Sequence, residues 1–427
     1  MFPEIRICMN TQQEVNTAVD HLFRHGSGKM VSVLCRLLGF ENIETAQDIV
    51  QDTLLQAVNT WPFSGMPPRP EAWLYRVAKN KAIDHLRRHK IYKTIAPQYA
   101  QLQQSEYAMS SAVYNLFLDD EIEDSQLRMM FACCHPAIPA ESQSALILKT
   151  LCGLSVHEIA RAFLCNDETI AKRLYRAKEK IKKENISLDV PLPAALPARL
   201  DTVLQCLYLL FNEGYNSSGT DTLIREDLCA DALRLCKLLC ENSRTALPRT
   251  FALTSLMCFH ASRFAARLDD KGNIILLKYQ DRSRWNYFLI EKGNEYIDMA
   301  ASGEIISHWH VEAAIASLHA SAISFEDTDW KKIYSLYGIL CSINPSPVAA
   351  LNKAIAACYA IDCETGLSEL LSLPHLEKNY LWHAALGEAY LRLNDKEKAR
   401  QSFTMAASLT TSHAEIQLLH KKMEQQE

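Results

Sequence analysis

The chain contains 427 residues, of which 48% are hydrophobic and 22% charged, and 45 basic against 50 acidic side chains leave a formal net charge of −5. That length predicts two or three domains, and the mildly acidic balance excludes a protein that coats nucleic acid in bulk. No apolar stretch of membrane-spanning length and no basic-then-apolar leader pattern occurs, so a cytoplasmic location without a membrane partner is expected, with the 14 Cys reduced and mostly buried.

The charge is unevenly spread. Residues 1–91 carry 11 basic and 9 acidic side chains, residues 92–126 one base and six acids, residues 127–186 ten bases and six acids, and the remainder 23 bases and 29 acids. Two modestly positive modules, an acidic linker and a large acidic domain are therefore expected. Nearly every long segment has helical periodicity, which predicts an all-α protein.

In Ala46–Val58, helical spacing turns Val50, Leu54 and Val58 inward and leaves carboxylates outside. An ordinary amphipathic helix with a solvated acidic face has the same pattern. Four prolines and a glycine between Pro62 and Pro70 join this helix to the next, and Trp61 and Phe63 beside them are expected in the core. The stretch Glu71–Lys90 lacks Gly and Pro and reads as one helix. At about 100° per residue, Leu74, Ala78, Ala82 and Leu86 form its apolar side, while Arg76, Asn80, Asp84 and Arg87 gather in a separate quadrant. Lys and Arg outnumber acids here six to two, so the helix offers charge for phosphates and amides for base edges. A solvated basic helix on a bundle is the plainer alternative.

Residues 92–126 are Gln- and Ser-rich and end in Asp119-Asp-Glu-Ile-Glu-Asp124, a linker composition extended by its own charge. The adjacent Cys133, Cys134 and His135 cannot point three ligands at one ion, and no CxxC accompanies them, so no metal site is expected. Leu154–Lys183 reads as a helix-turn-helix. Ser155 and Glu158 form a capping box, and Asn166 caps a second helix with Asp167 and Glu168 suited to its dipole. There Ile170, Leu174, Ala177 and Ile181 cluster on one side, while Thr169, Lys172, Arg173, Arg176 and Lys180 occupy the other, as a recognition helix requires. Leu164 stands in the turn, where Gly is common.

Pro191, Pro193 and Pro197 predict a hinge, followed by helices to the C-terminus. Asn273–Leu277 after Asp270-Lys-Gly is a candidate strand or hairpin edge. Leu386, Gly387, Tyr390, Ala399, Phe403 and Ala406 sit at the offsets of a tetratricopeptide unit, with a degenerate one before it from Val348 to Leu373, and a generic helical hairpin fits them equally. Phe211-Asn-Glu-Gly-Tyr215 and Asp281-Arg-Ser-Arg-Trp285 mix charge with aromatics. No nucleophile–base or paired-carboxylate arrangement can be assembled around them. They are assigned to caps, turns and buried ion pairs, and neither catalysis nor a cofactor is expected.

Together, Ala46–Val58, Trp61 and Trp73–Arg88 resemble regions 2.2 to 2.4 of a bacterial RNA polymerase sigma factor of the compact extracytoplasmic-function class. Leu154–Lys183 is similar to its region 4.2. Phe131–Pro136, Leu207–Tyr215, Asp281–Trp285 and Ser346–Asn352 resemble a subgroup whose region 4 runs into a long C-terminal helical extension, a subgroup that also tolerates Leu at the turn. The resemblance implies region 2 over residues 1–91, the linker over 92–126, region 4 over 127–186, and the extension, tetratricopeptide-like toward its end, over 187–427.

It also implies roles. Asp48, Gln51, Asp52 and Leu55 would grip core RNA polymerase. Arg76, Asn80, Asp84, Arg87 and Arg88 would meet the −10 element of promoter DNA, where a strand opens and a base is held out of the stack, with help from the Trp61–Pro70 loop. Thr169, Lys172, Arg173 and Arg176 would read the −35 element as duplex. The acidic linker would thread the polymerase interior, and the extension would regulate the sigma module in cis, answering to a protein or small-molecule partner. A stand-alone helix-turn-helix regulator, or a DNA-binding module fused to a ligand-binding or enzymatic domain, is the competing reading.

Overall fold

Apolar side chains at three- and four-residue spacing fold the chain into helices joined by short loops. The computed structural model describes residues 12–89, 115–163, 165–215, 224–410 and 412–424, so Leu164 and most of the linker lie outside it. Among the described residues there is no strand, only an isolated bridge between Leu268 and Ile274. The segment Asn273–Leu277 is thus not a strand. Asp269 collects the backbone N–H groups of Lys271 and Asn273 at 2.9 and 2.8 Å, and the resulting turn runs on into a 3-10 helix, Leu277–Tyr279.

The first helices are α1 (Gln12–Leu38), α2 (Ile43–Ser64), α3 (Pro70–His89), α4 (Asp119–Cys133), α5 (Ala140–Thr150), α6 (Val156–Ala162), α7 (Asp167–Lys183) and α8 (Leu196–Tyr215). The acidic run Asp119–Asp124, linker by composition, forms the opening turns of α4. Carboxylates there complement the helix dipole, and Arg36 of α1 binds Glu121 and Asp124 at 2.6 and 3.0 Å. Compact packing divides the chain at Leu209/Leu210, within α8 and beyond the prolines expected to form a hinge.

In the first unit, α1 packs against α2, α3, α4 and α5. Its Gly28 lies so close to α5 that a Cβ would stand 2.1 Å from the carbonyl oxygen of Leu151. No side chain fits there without moving the two elements apart. Cys133 and Cys134 are buried thiols, the latter 3.7 Å from the sulfur of Cys206. No metal-binding group occurs among the described residues.

The second unit continues with α9 (Glu226–Glu241), α10 (Pro248–Ala261), the single turn α11 (Phe264–Arg267), α12 (Tyr287–Ala300), α13 (His308–Ser321), α14 (Trp330–Ile343), α15 (Pro347–Ala360), α16 (Cys363–Ser372), α17 (Tyr380–Arg392), α18 (Lys396–Leu409) and α19 (His413–Glu424). Helix α10 is buried on nearly every side between α12, α13 and α9, consistent with its unbroken apolar sequence. Helices α15 to α18 form successive hairpins. At Gly387 a Cβ would fall 2.5 Å from the ring of Phe403, so the missing side chain permits the close crossing of α17 and α18, with Leu386, Ala399, Phe403 and Ala406 buried and Tyr390 half-buried.

Candidate nucleic-acid interface

Helix α3 buries Leu74, Ala78, Ala82 and Leu86 and exposes Arg76, Asn80, Asp84, Arg87 and Arg88. Burying four apolar side chains fixes the rotation of the helix, at roughly 1.5–3 kcal/mol for each Leu, and thereby fixes where the polar groups point. Arg87 lies 3.7 Å from Asp84, and the Arg88 Nε donates to the Asp84 carbonyl at 3.3 Å. Arg76 and Asn80 stand in solvent.

The connection into α3 is held by Trp61, 1% exposed, which meets Trp73 edge to face at 5.4 Å between centroids. Trp61 is a core residue as expected; Phe63 is not. Phe63 lies in the last turn of α2, which ends ahead of Gly65 (φ +77°), and is 91% exposed there.

On α2, Ala46, Ile49, Val50, Thr53, Leu54 and Ala57 are buried and Val58 is half-buried. Asp48, Gln51 and Asp52 are exposed on the opposite face, and among them Leu55 is 58% exposed. An apolar side chain ringed by acids is the pattern of an anchor with a polar rim.

The helix-turn-helix comprises α6 and α7. The Ser155 Oγ accepts from the Glu158 N–H at 3.1 Å and the Glu158 carboxylate accepts from the Ser155 N–H at 2.8 Å, closing the capping box. The Asn166 Oδ1 accepts from the Thr169 N–H at 2.8 Å and from its hydroxyl at 2.7 Å. Ile170, Leu174, Ala177 and Ile181 of α7 are buried. Lys172 and Arg176 are exposed, whereas Thr169 and Arg173 are half-buried. Arg173 is held by Glu141 of α5 at 3.4 Å and Lys172 by Glu168 at 2.7 Å. Tyr175, 65% exposed, adds an aromatic ring to the same helix.

One contact had no sequence signal. Glu44 at the start of α2 accepts from Lys178 at 3.2 Å and lies 3.6 Å from Lys182, both on α7. The Lys178 hydrogen bond and charge, aided by Lys182, hold the Glu44 carboxyl below its usual range. With Arg36 on α4 and Gly28 on Leu151, this packs the two basic helices' modules into one compact unit.

In the second unit, Asp281 caps a 3-10 turn, Arg282–Arg284, accepting from the Ser283 N–H at 2.9 Å. The turn role holds, but the buried ion pair does not. The Arg282 guanidinium donates to backbone carbonyls and lies over Trp285, and among the described residues no carboxylate pairs with it.

These modules define a class: an all-helical protein carrying two separate helices built to present basic faces to nucleic acid. Residues 22–91 match the family described as Sigma-70 region 2, residues 128–181 that described as Sigma-70, region 4, and residues 199–301 a family of unknown function, DUF6596. The chain is 33% identical over 388 residues to an uncharacterised protein of Rhizobium meliloti (strain 1021), covering 90% of each. It is 25% identical to the ECF RNA polymerase sigma factor SigW of Bacillus subtilis (strain 168), covering 36% of this chain and 82% of that one. It is 27% identical to the RNA polymerase sigma-H factor of Pseudomonas aeruginosa, covering 39% and 85%. No solved structure matches significantly. The chain belongs to the sigma-70-type RNA polymerase sigma factors of the extracytoplasmic-function class, in a form with a long C-terminal helical extension. No described helix is long and apolar enough to cross a membrane.

Proposed function

We propose that this chain is a promoter-specificity subunit that binds core RNA polymerase through Asp48, Gln51, Asp52 and Leu55. In this reading Arg76, Asn80, Asp84, Arg87 and Arg88 engage the −10 element as it opens, with Phe63 available to stack on a displaced base. Lys172, Arg173 and Arg176, with Thr169, read the −35 element. The observation that carries the reading is the coexistence of an acidic, Leu55-centred face on α2 with two exposed basic faces on α3 and α7. A repressor acting alone needs only the last.

The two promoter elements are centred roughly 25 base pairs apart, about 85 Å of B-DNA. A compact unit of this size has a radius of gyration of only about 17 Å. The α2–α7 and α1–α4 contacts must therefore break on the promoter, so that the free chain is a closed form and core polymerase selects the open one. The acidic linker spans the gap inside the polymerase, and the extension modulates the sigma module in cis.

Purified protein with core polymerase should give transcripts that depend on the cognate promoter. Failure to associate with core, together with dimeric binding to duplex operators, would replace this reading with that of a stand-alone regulator. A chain ending at Tyr215 that transcribes like the full chain would remove the role given to the extension.

A further inference from the structure

Two thiols touch in the first unit, where the segment matching Sigma-70 region 4 meets the segment matching DUF6596. Cys134 closes α4 and Cys206 lies in α8, and their sulfurs stand 3.7 Å apart although 72 residues separate them in sequence. The Cys206 sulfur accepts from the Cys134 S–H and, also at 3.7 Å, from the Ser144 hydroxyl. Arg199, two turns before Cys206 on α8, donates to the Phe131 carbonyl and brings its positive charge near Cys134.

A buried cysteine is ordinarily an inert small hydrophobe, and Cys133, whose thiol burial pushes up to about 12, is one. Cys206 differs. Donor bonds from Cys134 and Ser144 hold its thiol below the usual range against the effect of burial, whereas donation to Cys206, with burial, pushes Cys134 up. Of the two, Cys206 is the nucleophile. It is 6% exposed against 1% for Cys134, at the rim of the buried stripe of α8, with half-buried Thr202 one turn before it and Leu209, 45% exposed, one turn after. A water-sized oxidant needs no cavity to meet that sulfur, and Cys134 need not be reached from solvent at all. Because the sulfurs are already in contact, joining them asks for a movement of about 1.7 Å. Core packing alone explains the contact, but not a sulfur that collects two donors at the edge of a helix.

We propose that Cys206 and Cys134 form a peroxide-sensitive dithiol whose oxidation staples α8 to the end of α4. The Cys206 thiolate attacks one oxygen of hydrogen peroxide and the O–O bond breaks. The departing hydroxide takes up the proton that Cys206 had released and leaves as water, so Cys206 becomes a sulfenic acid. The Cys134 sulfur, losing its proton, then attacks the Cys206 sulfur; the S–S bond forms, the S–O bond breaks and a second water leaves. Two electrons pass from the sulfurs to the peroxide oxygens, and two thiols with one peroxide give one disulfide and two waters. The staple encloses α5, α6 and α7 in one covalent loop, fixing the helix-turn-helix to the first helix of the extension. It is independent of the roles proposed for α2, α3 and α7.

The test treats reduced full-length protein, freed of reductant, with one equivalent of hydrogen peroxide. Remaining thiols are trapped with N-ethylmaleimide in acidic urea, and the monomer is digested with trypsin. Peptide 129–149, which holds Cys133 and Cys134, should appear joined to peptide 200–225, which holds Cys206, and reduction should separate them. The pair should close about tenfold or more faster than buried Cys35 or Cys236 is consumed. Cys133→Ala should keep the link. Cys134→Ala should abolish it and leave Cys206 as a sulfenic acid that dimedone labels. If that variant misfolds, fragmentation of the linked wild-type peptides between residues 133 and 134 makes the same assignment. Recovery of Cys134 and Cys206 both alkylated while other thiols oxidise overturns the proposal, as does a link that runs through Cys133.

Discussion

The two units of this protein are both helical but differ in where they place some of their cations. The first turns Arg76, Arg87, Arg88, Lys172 and Arg176 into solvent, on helices whose apolar stripes are fully occupied by their own cores. In the second, Arg263 and Arg282 are half-buried over the Trp285 ring. Exposed cations suit a long polyanion, whose binding is steered at a distance and falls with salt.

Acid should separate the units most strongly. His260 and His319 are buried with values near 3 and 4, against about 6.5 when unfolded. Between those limits the unfolded chain binds more protons, so stability falls as pH drops through about 6.5 and continues to fall until the folded values are reached. At pH 5 the pair should cost the second unit roughly 4 kcal/mol relative to neutral pH. Thermal melts followed by tryptophan emission would show this, and replacement of both by Gln should flatten the dependence.

Next in size is Asn80→Ala, which removes a side chain able to pair with a base edge and should slow promoter opening by about 1–3 kcal/mol, or roughly five- to 150-fold. An intact fold with unchanged opening would remove Asn80 from the −10 face. Arg176→Ala should weaken duplex binding and lower the slope of log affinity against log salt by about one. If binding to one sequence is lost while others are unaffected, Arg176 reads a base and not a phosphate. Smallest is Glu44→Gln, which removes an exposed pair with Lys178 and Lys182 and should raise binding of free protein to −35 duplex only about two- to fivefold.

What the sequence makes legible is local. The stripes Leu74–Leu86 and Ile170–Ile181, the Ser155 and Asn166 caps and the all-helical class follow from spacings of three and four residues. Contacts between distant segments do not. Glu44 meets Lys178 across 134 residues, and Gly28 meets Leu151 only because α1 and α5 pack. Composition misleads at Asp119–Asp124, where acids suit a helix N-terminus as well as a linker, and at Phe63, which the last turn of α2 holds in solvent despite its hydrophobicity. The turn at Asp281–Arg284 was legible, but the stacking of half-buried Arg282 over Trp285 required the fold.

The most direct test of the closed-to-open account is the distance between α3 and α7, read from labels introduced at exposed Ala72 and Lys183. The free protein should give a short distance, within the span of one compact unit. Bound to core polymerase and promoter DNA, the labels should move to a separation approaching the roughly 85 Å between promoter elements. An unchanged short distance in a complex that transcribes would contradict it.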